Sequence, residues 1–219
     1  MSFYRRNLPH WQPAGAEYFI TFRLAGSLPK QAILRLKKEQ KMLFKKVADS
    51  TCRSDSLSDL RVQIHEKIFK KYDHLVDSNE QGPTWLSNPK IADIVKEALH
   101  YRDKDKYDLY AYCIMPNHVH LVCKLPDSES MNLAESEEYP LTSVLKSLKW
   151  YTALKANKVL NRTGSAFWQS ESYDHVIRDS DEMEQVIHYT LNNPVKAGLV
   201  TSWEDWSGSY CKNEFRELF

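Results

Sequence analysis

Tyr107-Asp108-Leu109-Tyr110-Ala111-Tyr112-Cys113-Ile114-Met115-Pro116-Asn117-His118-Val119-His120-Leu121-Val122-Cys123-Lys124-Leu125 is the stretch on which the fold turns. Its first half, Tyr107 to Met115, is apolar at odd and even positions alike, as a strand buried on both faces requires. Pro116-Asn117 supplies a turn. The second half, His118 to Leu125, alternates. The two-residue period of a strand sets His118, His120, Val122 and Lys124 on one face and Val119, Leu121, Cys123 and Leu125 on the other. The segment therefore predicts two neighbouring central strands, one face oily and the other carrying two imidazoles.

Working outward, Asn88 followed by Pro89 reads as an N-cap with proline at the first helical position. Ile91, Ile94, Val95, Ala98 and Leu99 then follow at helical spacing, predicting a helix over 89–101. Upstream, Tyr18-Phe19-Ile20-Thr21-Phe22-Arg23-Leu24 is aromatic and β-branched and reads as a strand, with helical patterns over 30–47 and 58–75 behind it. Downstream come an amphipathic helix near 141–161, a strand over 172–178, and a last helix beginning near Ser180. There Asp179 and Glu182 suit a capping box. With 29–87 set apart as a helical insertion after the first strand, the order is βαββαβ plus a terminal helix. That is an α+β, split-βαβ layout with helices packed on one face. One domain over 1–219 is expected, with 195–219 as a C-terminal tail.

Composition narrows the setting. With 219 residues, 42% hydrophobic and 27% charged, the chain falls among ordinary globular proteins, and no apolar run approaches the roughly 18 residues of a membrane span. The N-terminus lacks a secretory h-region, and the four cysteines have no paired spacing, so a cytoplasmic protein without a membrane partner is expected. The net charge of +1 is a sum of separated blocks. Residues 127–138 carry Asp127, Glu129, Glu135, Glu137 and Glu138 without a base, whereas 139–169 carry Lys146, Lys149, Lys155, Lys158 and Arg162 without an acid. A basic helix carrying Trp150 and Tyr151 between its lysines raises the prospect of a polyanionic partner. Solvated helix faces are the ordinary alternative.

Rings two apart on a strand stand about 7 Å apart at the backbone, so His118 and His120 can converge on one cation. A zinc site adding Cys113 and Cys123 is disfavoured, because Cys123 points to the other face and Cys113 belongs to another strand. A histidine-triad hydrolase would need a third histidine where Val122 stands. On the last helix, read over 181–192, Met183, Val186, Ile187, Thr190 and Leu191 form the core stripe. Tyr189 and Asn193 lie within about 40° of each other at its margin. Asn193 reads as a C-terminal residue before Pro194, which should force the chain out of the helix. A boundary aromatic and a nucleophile paired with an oxygen ligand are both open readings of Tyr189 and Asn193.

Several ordered motifs together resemble the IS200-like single-tyrosine transposases, particularly the branch associated with repetitive extragenic palindromes. They are Tyr4-Arg5-Arg6, Tyr18 to Phe22, Gly82-Pro83-Thr84-Trp85-Leu86, Met115 to Val122, Phe167-Trp168-Gln169, Tyr173 to Arg178, Ile187-His188-Tyr189 and Asn192 to Gly198. The resemblance implies a ferredoxin-like sheet, His118 and His120 as metal ligands, Tyr189 as nucleophile and Asn193 as the third, polar ligand. Some relatives have Gln at that last place. Mg²⁺ or Mn²⁺ is the implied ion. The implied function is a metal-dependent DNA strand transferase that cuts and rejoins single-stranded DNA near a hairpin through a 5′-phosphotyrosine, with a homodimer among the expected states. Arg5 and Arg6, on a flexible arm, and Lys146, Lys149, Lys155 and Lys158 are the expected DNA contacts. Tyr173 is the competing nucleophile. A replication-initiator or relaxase-type nickase, and a domesticated binding module that no longer cleaves, are the alternatives.

Overall fold

In the computed structural model, residues 3–5, 9–11, 13–48, 54–77, 82–127 and 140–217 are described below. The chain divides into two compact units, one formed by Met1–Ala25 with Thr84–Phe219 and the other by Gly26–Pro83. Among the described residues, no helix is long and apolar enough to cross a membrane.

The larger unit is built on a five-stranded antiparallel sheet. Its strands are β3 (Glu17–Arg23), β4 (Asp108–Ile114), β5 (His118–Lys124), β6 (Tyr173–Val176) and β7 (Ser209–Cys211). Their order is β6-β3-β5-β4-β7. Without β7 this is the split-βαβ order expected from the sequence, with β5 inserted between β3 and β4. The edge strand β7 comes from the segment read as a tail. A separate antiparallel ribbon pairs β1 (Phe3–Arg5) with β2 (Pro9–Trp11), Phe3 standing opposite Trp11. Arg5, expected in a flexible arm, stands opposite Pro9 in this ribbon.

One face of the sheet is the hydrophobic core. Tyr18, Ile20, Phe22, Val119, Leu121 and Cys123 pack there against α3 (Pro89–Tyr101) and α4 (Pro140–Val159). Asn88 caps α3 by accepting a hydrogen bond from the Lys90 N–H at 3.0 Å. Fully buried side chains such as Ile91, Leu99, Leu121 and Leu148 each contribute on the order of 1.5–3 kcal/mol. The alternation of β4 is broken by a bulge between Leu109 and Ala111. The extra residue, Tyr110, lets Leu109, Tyr112 and Ile114 all reach the core and turns Cys113 to the opposite face, across from His120.

That opposite face is covered by α5 (Ser180–Lys196), which packs on β4, β5 and β7 through Met183, Ile187, Thr190, Leu191 and Pro194. The helix does not stop before Pro194 as the sequence suggests. Proline's fixed φ fits a helix, and in the last turn its missing N–H costs one hydrogen bond. The end is instead set by Gly198 at φ +69°, with Gly198 N–H bonded to Val195 O and Leu199 N–H to Pro194 O, both at 2.9 Å. This is the Schellman pattern.

The smaller unit is a helical pair, α1 (Lys30–Ala48) and α2 (Ser54–Asp77), the second longer at both ends than the sequence pattern indicates. Leu36, Ile64 and Ile68 are buried, and Lys71 pairs with Glu39 across the two helices.

Candidate metal and nucleophile site

Strand register builds the site. Thr21 on β3 stands opposite His120 on β5, Arg23 opposite His118, and Phe19 opposite Val122. Partners directly opposite in an antiparallel pair share a face, so Phe19, Thr21, Arg23, Cys113, His118 and His120 all belong to the sheet face on which α5 packs. The two imidazoles are fully buried and aimed at each other, with Nε2 atoms 2.8 Å apart. Their other nitrogens are held from behind. Asn117 Oδ1 lies 2.6 Å from His118 Nδ1, and Thr21 Oγ1 lies 2.8 Å from His120 Nδ1. Burial disfavours the charged rings and pushes His118 down to about 3. His120 is held well below the ordinary histidine value by burial first, then by the neighbouring His118 and Lys196 charges. Both rings are neutral at pH 7, the form in which imidazole donates a lone pair to a cation.

Tyr189 comes to this pair from above. Its ring meets His120 edge-on at 5.7 Å between centroids and Phe19 at 6.0 Å, while Phe19 stacks on His120 at 5.5 Å with planes 16° apart. Lys196 Nζ lies 5.5 Å from the Tyr189 ring centroid. Tyr189, Lys196, His188 and Asn192 help line a groove of about 640 Å³ along α5. One turn on, Asn193 is buried and its Nδ2 donates to the Tyr189 carbonyl at 3.1 Å. Its Oδ1 is buried without a hydrogen-bond partner among the described residues, an oxygen with its lone pairs unused.

The start of α5 is anchored beside the site. Asp179 accepts from the Glu182 N–H at 2.8 Å, one half of the capping box read from the sequence. Glu182 reaches one residue past the cap, to the Arg178 N–H at 2.8 Å, and also takes the Arg178 guanidinium and His175 Nε2 at 2.8–3.1 Å. Burial raises the Glu182 carboxyl, but the bonds from Arg178 and His175 overcome it and bring it down to about 2.

The sequence-predicted DNA contacts separate into groups. Lys146, Lys155 and Lys158 are exposed on α4; Trp150 on the same helix is 68% exposed, and the Lys155 ammonium lies 5.8 Å from the Tyr151 ring centroid. Lys149 turns inward instead. Its ammonium donates to the carbonyls of Gln169, Ser170 and Glu171 and, at 2.7 Å, to Ser172 Oγ. Burial, then the Arg23 charge, lowers its pKa to about 7 against the pull of Glu171 and Asp174. Arg5 lies in β1, and Arg6 and the acidic residues 128–138 fall outside the described residues. Tyr173 stands across from Thr21, on the histidine face but one strand farther out than His120. Cys123 is in the oily core, as its alternation predicts. Cys113, set aside in the sequence as belonging to another strand, shares the histidine face, where its sulfur accepts from Ser209 Oγ at 3.7 Å. Thr21, Asn117, Phe19 and Lys196 escaped the sequence reading. The first and third are legible only once β3 is known to pair with β5.

Against this geometry the comparisons are specific. The family model described as "Transposase IS200 like" matches residues 67–193, a span that holds both histidines, Tyr189 and Asn193. The chain belongs to the IS200-like transposase family. A relative from Haemophilus influenzae, assigned to the REP-associated tyrosine transposases, is 33% identical over 101 residues. That match covers 46% of this chain and 56% of the relative, so it spans about half the length of each. A solved structure of a REP-associated tyrosine transposase bound to a REP hairpin superposes with a TM-score of 0.52, covering 95% of this chain and 82% of that one. At 17% identity this likeness is one of fold. The IS200-like chain thus carries the α+β architecture of its family.

Proposed function

We propose that this protein cuts and rejoins single-stranded DNA beside a hairpin, with Tyr189 as the nucleophile. The observation that carries the reading is the Tyr189 ring seated edge-on against His120, above two neutral imidazoles whose Nε2 atoms face each other. The phenol oxygen attacks a backbone phosphorus and forms a P–O bond. The P–O3′ bond breaks, the 3′ oxygen leaves with a proton, and the 5′ phosphate stays on Tyr189. Attack by another 3′ hydroxyl reverses the step and frees the tyrosine. Because one phosphodiester is exchanged for another, no nucleotide cofactor is consumed.

His118, His120 and Asn193 fit a divalent cation by their chemistry: two uncharged nitrogen donors and one buried amide oxygen without a partner. Mg²⁺ or Mn²⁺ held there would draw charge from the phosphate oxygens. The chain's own residues do the rest. Phe19 fixes the plane of His120 and packs on Tyr189, and the Asn193 amide ties itself to the Tyr189 carbonyl, so nucleophile and ligand move as one turn of helix. Lys196 places a positive charge over the Tyr189 ring, where the phosphate arrives. Lys146, Lys155 and Lys158, with the exposed Trp150 on the same helix, are proposed to track the single strand, together with Arg5 and Arg6. Hairpin DNA as the partner follows the solved relative, which is bound to a REP hairpin.

The test is incubation of the protein with end-labelled hairpin DNA and Mn²⁺, followed by denaturing electrophoresis. A covalent protein–DNA band with the wild type and none with Tyr189→Phe is expected. A band that survives Tyr189→Phe refutes the nucleophile, and binding without any band favours a module that no longer cleaves.

A further inference from the structure

We propose that the outer face of α1 grips the double-stranded stem of the DNA hairpin through its phosphates, a contact separate from the single-strand path assigned to α4. The inference rests on the reading of hairpin DNA as the partner and is independent of the nucleophile.

α1 carries seven lysines and arginines against Glu39 alone, whereas α2, the other helix of the pair, carries five acids and four such bases. Basic character is thus a property of one helix and not of the whole unit. The single acid of α1 is taken up by Lys71 of α2. Arg35, Lys37, Lys38, Lys41, Lys45 and Lys46 are all exposed, and none of the six makes a hydrogen bond or an ion pair among the described residues. At about 100° per residue, Lys38, Lys41 and Lys45 fall within about 60° of one another, on the side opposite the buried Leu36. Lys37 lies to one side of this ridge and Arg35 and Lys46 to the other, so the positive face covers about half of the helix circumference.

Helix stability does not account for such a face. Lys45 and Lys46, in the last turn, do favour the helix dipole. But Lys37 and Lys41, Lys38 and Lys41, and Lys41 and Lys45 are like charges three or four residues apart, which repel along an isolated helix. A polyanion laid along the ridge turns that repulsion into attraction. From Arg35 to Lys46 the helix rises about 16 Å, a length over which duplex DNA presents about ten phosphate charges. With side chains an α-helix is about 10–12 Å across, and the major groove is about 12 Å wide, so the two edges of the positive face can meet the two phosphate rails.

Duplex is favoured over single strand by what the face lacks. Single strands are held by aromatic rings stacking on unpaired bases, and α4 offers Trp150 for that purpose. The one aromatic residue of α1, Phe44, is half-buried, and the large apolar side chains exposed on this helix are Leu34 and Met42. Cations without an exposed ring suit phosphates whose bases are already paired and stacked.

Fluorescence anisotropy of the full-length protein with a labelled blunt-ended DNA hairpin, and separately with an oligothymidine of equal length, tests this over about 50 to 300 mM salt. The combined variant Lys38→Gln, Lys41→Gln and Lys45→Gln removes three charges at exposed positions and keeps good helix formers. It is expected to cut the hairpin salt slope by about 2.7, at about 0.9 per lysine, and to weaken hairpin binding on the order of 100-fold at 0.1 M salt. Its slope on oligothymidine should change by less than about 1, and Arg at the same three positions should keep the wild-type slope on the hairpin. A Gln variant with wild-type circular dichroism and the wild-type hairpin slope overturns the proposal, as does one that loses as much slope on oligothymidine as on the hairpin. So does unchanged hairpin binding alongside lost binding to phosphatidylserine-containing vesicles, which would make the face a membrane contact. A wild type that binds neither DNA overturns the hairpin reading itself.

Discussion

Replacing Glu182 by Gln tests how the nucleophile-bearing helix is anchored. The Glu182 carboxylate accepts from the Arg178 N–H, the Arg178 guanidinium and His175 Nε2, joining β6 to the first turn of α5. Its pKa falls from 4.5 to about 2 in the folded protein. Fully expressed, that difference corresponds to at most about 3.4 kcal/mol, and solvent screening at this rim brings it to about 1–2 kcal/mol. A depressed carboxyl contributes stability that is present above the unfolded pKa and lost as pH falls through the folded one. Wild type should therefore exceed Glu182→Gln by about 1–2 kcal/mol at pH 7, or roughly 2–8 °C in Tm for a chain of this size. The gap should narrow below pH 4.5 and close near pH 2. Tryptophan fluorescence suits the assay, because all six tryptophans lie in the sheet-bearing unit and the helical pair of Gly26–Pro83 does not contribute. Equal Tm values at pH 7, or a gap that persists unchanged at pH 2, would refute the reasoning.

Other consequences are simpler to state. Lys149 is held down to about 7 by burial, so the unfolded chain binds more protons above that pH and wild-type stability should rise from pH 7 to pH 10; Lys149→Met should flatten that rise in fluorescence-monitored melts. Changing Lys146, Lys155 and Lys158 together to Gln should reduce the salt slope of single-stranded DNA binding by about 2, at about 0.7 per lysine. An unchanged slope would remove α4 from the DNA path. Tyr173→Phe should leave the covalent band intact, because Tyr173 lies a strand beyond His120 while the Tyr189 ring touches it.

How far the sequence discloses all this depends on the range of the pattern being read. The histidine face of β5 follows from two-residue alternation, and the pairing of Tyr189 with Asn193 from helical spacing, because each is set within one element. The split-βαβ order follows from the succession of such patterns. What escapes is set between elements. No local pattern marks β7, whose three residues become a strand by pairing with β4. The bulge at Tyr110 is invisible in a segment apolar on both faces, so the side taken by Cys113 could not be read. Pro194 carries a strong local signal to stop, yet the packed apolar face of α5 and the Gly198 cap carry the helix on to Lys196. Lys149 resembles its neighbours in sequence, and only the fold of 169–172 around its ammonium distinguishes it.

The central claim is that Tyr189 attacks DNA, and peptide mapping of the covalent product tests it most directly. The adduct formed with hairpin DNA and Mn²⁺ is digested with nuclease and protease, and the nucleotide-bearing peptide is sequenced by tandem mass spectrometry. Of the twelve tyrosines in the chain, Tyr189 alone should carry the phosphodiester-linked nucleotide. Modification at Tyr173, or at any residue other than Tyr189, would contradict the account.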